Sequence, residues 1–133
     1  MDILVFEEIS DLIKKGIADR CDLNLSQTRI LLYFDRTDNQ EIIMGKLAEA
    51  LEISLSTLSR QLKQKKTQPL IEVLRSNKDS SKLIKLSPEG CRKVRELKQS
   101  LKDLQDLVLK GLNDKESSDF LRHLLAIPAK LSD

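Results

Sequence analysis

The sequence predicts a mainly α-helical domain carrying one small β-hairpin, and three observations lead there. Apolar residues recur three and four apart over six stretches of the chain. Two short runs with alternating apolar residues, 70–75 and 82–86, flank a string of turn formers from Ser76 to Ser81. Directly after the second run, Ser87-Pro88-Glu89-Gly90 sets a capping serine before a proline at the first helical position, a start signal for a long helix.

The first helix is expected from Ile3 to about Asp19, with Val5, Ile9, Leu12, Ile13 and Ile17 at helical spacing. A polar break at Asp22 to Asn24 follows, then a second helix capped by Ser26, with Ile30, Leu31 and Phe34 facing inward and Thr37-Asp38-Asn39 ending it. Ile42 to Leu51 predicts a third helix with a stripe at Ile43, Leu47, Ala50 and Leu51. Ser54 caps a fourth, in which Leu55, Leu58 and Leu62 share one face and Thr57, Arg60, Gln61 and Gln64 the other. Pro69 is expected to end the helical signal, and Leu70–Arg75 and Lys82–Leu86 to pair as the hairpin. In the long helix Val94, Leu97, Leu101, Leu104 and Val108 repeat as a seam, suited either to pairing with another helix or to facing the core of its own domain. A final helix, capped at Asn113, carries Phe120, Leu121, Leu124, Leu125 and Ile127 and is expected to be interrupted at Pro128.

A chain of 133 residues with 40% hydrophobic side chains suffices for one domain with a core, taken as residues 1–133. The opening MDILVFEEISDLIKK lacks the pattern of a signal peptide, and no apolar run approaches a membrane span, so a cytoplasmic chain with no membrane partner is expected. Cys21 and Cys91 fit neither a disulfide framework nor a zinc spacing, and the single His123, set among leucines, has no companion ligands, so neither metal nor cofactor is expected. No Gly-rich phosphate loop, paired-His motif or serine elbow points to an enzyme.

Charge is more informative by distribution than by total. Ser54 to Ser87 holds eight basic residues against two acidic ones, a local +6, so that the rest carries −4 within a net charge of +2. Such a segment is the footprint expected for a polyanion, or a solvated face that happens to be basic. Aromatic residues are absent from it, which disfavours stacking on single strands and favours duplex DNA. In their order, the third and fourth helices read as a helix-turn-helix and the hairpin as its wing. Arg60 suits the O6 and N7 acceptors of guanine, Gln61 and Gln64 suit adenine, and Thr57 a thymine methyl or a phosphate. Ser54, Ser56 and Lys63 complete the helix's candidate DNA contacts, and Arg75, Lys78 and Lys82 bring charge to the wing.

KLAEALEISLSTLSRQLKQ from Lys46 to Gln64 and PLIEVLRSNKDSSKLIKLSPEG from Pro69 to Gly90 resemble the helix-turn-helix and wing of the MarR family of bacterial transcription regulators, including its shorter SarA-like relatives. The resemblance implies a homodimer built from residues 1–20 and 88–131, a DNA-binding lobe at 42–87 reading a pseudo-palindromic operator, and control by a small-molecule effector or by thiol oxidation, for which Cys21 is the candidate sensor. Three features depart from the family pattern: Lys65 where a leucine is usual, Pro69 where a glycine is usual, and Ser80 and Ser81 after Asp79 where an arginine is usual, leaving Lys82 as a point charge. The competing reading is a winged-helix protein-interaction module that does not bind DNA.

Overall fold

Helix α1 (Val5–Cys21) opens with Glu7 and Glu8 in its first turn and closes with Arg20 in its last, each charge placed to oppose the helix dipole. It stops where Asp22 adopts a left-handed φ of 55° and returns its N–H to the Ala18 carbonyl. The structure is a computed structural model and describes residues 2–75 and 81–132. These form two compact units, Met1–Leu101 and Lys102–Asp133.

Within the first unit, α2 (Leu25–Arg36) is capped by Asn24 and not by Ser26. Asn24 Oδ1 accepts from Gln27 N at 2.8 Å while Gln27 Oε1 accepts from Asn24 N at 2.8 Å. This reciprocal box satisfies two donors where Ser26, with Arg29 three residues on, could satisfy one. The expected third helix also starts later. Ile42–Ile43 is a short strand, β1, and α3 covers Met44–Ala50. Ile43 and Ala50 are therefore exposed, and the buried stripe passes through Leu47 and Ala48.

Helix α4 (Leu55–Leu62) begins at Ser54, whose side chain accepts from Thr57 N. Leu58 and Leu62 are buried, but Leu55, the first residue of the helix, is 53% exposed. The helix closes at Leu62, well before Pro69, because the chain turns over the Gln64 carbonyl, which accepts from both Thr67 N and Gln68 N. Gln64 consequently lies beyond the helix and not on its face. The turn is pinned by a buried contact in which Gln27 Nε2 donates to Thr67 Oγ1 at 3.1 Å. Pro69 then sits inside a short 3-10 helix, Gln68–Leu70, so Leu70 precedes the strand.

Strands β2 (Ile71–Arg75) and β3 (Lys82–Leu86) pair antiparallel as the hairpin, with Val73 opposite Ile84 and Arg75 opposite Lys82. Strand β1 adds on the other side of β3, giving the sheet order β1-β3-β2. Helix α5 (Pro88–Val108) starts as the sequence indicates: Ser87 Oγ accepts from Gly90 N at 3.0 Å and donates to the Pro69 carbonyl at 2.6 Å. Phe34, Ile30, Leu31, Leu47, Leu58, Ile84 and Leu97 are fully buried and form the centre of this unit's core. Val94 and Leu97 thus use the first part of the seam for packing inside their own unit.

The second unit holds the end of α5 and helix α6 (Asp114–Ser132). Asn113 and Glu116 form the same reciprocal box as at α2, with Glu116 N donating to Asn113 Oδ1 at 2.8 Å. Pro128 lies within α6 and does not interrupt it. Proline removes one backbone donor but leaves the remaining bonds of a long helix in place.

Candidate nucleic-acid interface

Helix α4 presents its outer side because Leu58 and Leu62 hold the opposite side in the core. Ser54, Ser56, Arg60 and Lys63 are exposed, Thr57 and Gln61 half-buried. The helix's first turn is tied by side chains: Ser54 Oγ donates to Thr57 Oγ1 at 2.8 Å, Ser56 Oγ lies 3.1 Å from Ser54 Oγ, and Arg60 Nη2 donates to Thr57 Oγ1 at 3.3 Å. The Arg60 guanidinium therefore lies back along the helix toward its N-terminus.

Strand register fixes the wing's charges. Residues on alternate positions share a face, so Val73, Arg75, Lys82 and Ile84 are on one side of the hairpin and Glu72, Leu74, Leu83 and Lys85 on the other. The first of these sides meets α4. A groove of about 270 Å³ runs between them, bounded by Ser59, Leu62 and Lys63 on one wall and Ile71, Val73 and Lys82 on the other. Lys63 from the helix end and Lys82 from the wing therefore line one groove.

Among the described residues, two basic side chains of the 54–87 segment are paired: Lys66 with Asp22 at 3.0 Å and Lys85 with Glu72 at 3.9 Å. Arg60, Lys63, Lys65, Arg75 and Lys82 have no carboxylate partner among the described residues. Moreover, Arg75 and Lys82 face each other directly across the strands. Like charges so placed oppose pairing of the hairpin, a cost that an anion between them would remove.

Of the residues the sequence singles out, Ser54, Ser56, Thr57 and Arg60 are brought together by hydrogen bonds, and Lys63 and Lys82 by the shared groove. Gln64 leaves the helix face, and Lys78, like Asp79 and Ser80, lies outside the described residues. Ser59 is not among the sequence's candidates, yet it lines the groove. Its position four residues before Lys63 puts it on the same side of the helix, a signal the sequence does contain. Cys21 is 1% exposed, and its thiol donates to Ser100 Oγ at 3.0 Å, the setting of a packed thiol. No group of three or more metal-ligating side chains occurs among the described residues, and no helix among them is long and apolar enough to cross a membrane.

A helix pair with a short connection, a three-stranded sheet whose hairpin lies beside the second helix, and flanking long helices define a winged helix-turn-helix fold. Solved structures with this architecture include the apo form of wild-type MarR from E. coli, at a TM-score of 0.76 and 21% identity over 93% of this chain and 90% of that one. A mutant of the E. coli protein complexed with operator DNA superposes at a TM-score of 0.73, with 18% identity over 96% and 99% of the two chains. The S. aureus MepR–DNA complex does so at 0.69, with 22% identity over 96% and 94%. No family sequence model matches the chain, and no curated protein matches it by sequence. The fold is thus that of MarR-like winged-helix regulators.

Proposed function

We propose that this chain is a sequence-specific, double-stranded DNA-binding transcription regulator that acts as a homodimer on a pseudo-palindromic operator. The observation that carries the reading is the groove in which the end of α4 and the wing set Lys63 and Lys82 on facing walls, both without carboxylate partners among the described residues. In winged helix-turn-helix proteins the second helix enters the major groove and the flanking cations grip phosphates. Structures of the same fold in complex with DNA support the assignment. Within it, Arg60 reads base edges from the outer side of α4, with Ser54, Ser56, Thr57 and Gln61 around it. Lys63, Arg75, Lys82 and, on sequence grounds, Lys78 hold the backbone. Gln64 contributes at the helix end and not from its face.

Dimer formation is supported in each unit separately by large apolar side chains left in solvent. In the first unit Ile3 and Leu4, just before α1, and Phe6 and Leu12 within it are exposed, the last at 67%. In the second, Leu107, Val108, Phe120, Leu125 and Leu131 are exposed, Leu125 at 77% and Leu131 at 80%. That much apolar surface on helices marks a surface that another chain covers. The reading places the protein in a bacterial cytoplasm and includes a small-molecule effector. Oxidation of Cys21 would first require α1 and α5 to separate around it.

Binding measured by fluorescence anisotropy against labelled duplexes over a range of salt concentrations tests the proposal. Affinity is expected to fall steeply with salt. Lys63→Ala and Lys82→Ala should each weaken all duplexes alike and reduce the salt slope by about one unit for each phosphate no longer neutralised. Retention on duplex DNA that ignores salt, or none at all, would point to the protein-interaction module. One observation favours that second reading: Ile43, Leu83 and Leu74 form a cross-strand apolar row on the sheet's outer face, with Ile43 and Leu74 exposed.

A further inference from the structure

Three hydroxyls and one guanidinium at the start of α4 form a single hydrogen-bonded chain whose protons can be counted. Each hydroxyl has one proton to donate and two lone pairs to accept with. Ser54 accepts from Thr57 N and spends its proton on Thr57 Oγ1. The contact between Ser56 and Ser54 must then be donated by Ser56. Thr57 Oγ1 accepts twice, from Ser54 and from Arg60 Nη2, so both its lone pairs are occupied. Thr57 therefore has no accepting capacity left, and one N–H of Arg60 is already engaged, leaving four for a ligand.

Resting on the proposed reading of α4 as the DNA-reading helix, we propose that Thr57 is a positioning residue: its hydroxyl, oriented by Ser54, straps the Arg60 guanidinium so that Arg60 reads one guanine in each half-site. Arg60 is exposed and long, and an untethered side chain of that kind must lose its rotamer freedom on binding. The strap removes much of that loss beforehand. Guanine offers two acceptors, O6 and N7, to the remaining fork, whereas adenine offers N7 beside a donor that a guanidinium cannot satisfy. A fork held in one orientation separates the two bases more sharply than one that swings, because a swinging fork can reach a phosphate or a single acceptor at either base. Thr57 thus contributes to base choice through Arg60, with its one remaining proton free for a phosphate oxygen.

The test uses the full chain and duplexes selected by it from a randomised pool. The wild type is expected to enrich one guanine per half-site that the Arg60→Ala variant no longer selects. Affinity is then compared between the selected duplex and the same duplex with that G·C pair changed to A·T. Thr57→Val, which keeps the side chain's shape but lacks the hydroxyl, should reduce the preference for G·C about tenfold while leaving the salt dependence unchanged. Thr57→Ser should restore it, and in the Arg60→Ala background Thr57→Val should change the ratio no further. Since both duplexes are measured on the same protein, the ratio is readable even if a variant melts earlier. Equal weakening of both duplexes by Thr57→Val, an unchanged ratio, or failure of serine to rescue would overturn the inference. A selected duplex whose guanine preference is independent of Arg60 would overturn it alone; a wild type that selects no duplex would overturn the DNA-binding reading as well.

Discussion

A methyl group at Gly90 would stand 2.0 Å from the Leu70 carbonyl oxygen, which also accepts from Ser87 N at 3.0 Å. Gly90→Ala must therefore push the start of α5 away from the 3-10 turn, and a loss of roughly 1–3 kcal/mol in thermal or denaturant melts is expected. Glu52 offers the opposite case. It connects α3 to α4 with a left-handed φ of 57°, a conformation that disfavours any residue with a Cβ. Glu52→Gly is expected to stabilise the fold by roughly 0.5–1 kcal/mol in the same melts, the relief of strain being partly offset by the freer unfolded chain. Residue-scale features of this kind were legible where their chemistry is local. Ser54 and Ser87 could be recognised as caps because a serine, a turn and an apolar repeat occur in sequence. Asn24 and Ser26 both suit a cap by propensity, and the signal that separates them is the residue three positions on, Gln27 after Asn24 against Arg29 after Ser26, since only the glutamine returns a bond to the cap. The strain at Glu52 is invisible without backbone angles.

At the scale of elements, the hairpin was legible and its third strand was not. Alternating apolar residues and a turn-forming loop are a local pattern. β1 exists only because Ile42 and Ile43 meet Ile84 and Leu83 far along the chain, and its two residues read equally well as the start of α3. The end of α4 is hidden from the sequence for a similar reason: helical spacing carries through Gln64, whereas the helix closes at Leu62 and the turn that follows is pinned by the buried Gln27–Thr67 contact. The wing supplies a prediction that separates stability from binding. Lys82→Glu would place a carboxylate opposite Arg75, replacing a like-charge pair with an opposite-charge one. The hairpin should gain roughly 0.2–1 kcal/mol, so the melting temperature should hold or rise while duplex affinity falls. A variant that binds duplexes as tightly as the wild type would remove the wing from the interface.

For the whole molecule, the sequence left the α5 seam open between pairing with another helix and facing the core of its own domain. Val94 and Leu97 are consumed inside the first unit, whereas Val108, Leu125 and Leu131 stay exposed in the second. Only packing separates Val94 and Leu97 from Val108, because all three continue one repeat of three and four residues along α5. Leu125→Glu together with Leu131→Glu is therefore expected to convert dimers into monomers in sedimentation equilibrium, without unfolding the first unit, and to abolish tight binding to a two-half-site duplex. A hydroxyl-radical footprint on a duplex selected by the protein tests the central claim, that two copies of α4 and its wing grip one DNA, most directly. Protection is expected as two symmetric patches centred about one helical turn, roughly 10 base pairs, apart. A single asymmetric patch, or uniform cleavage across the duplex, would contradict it.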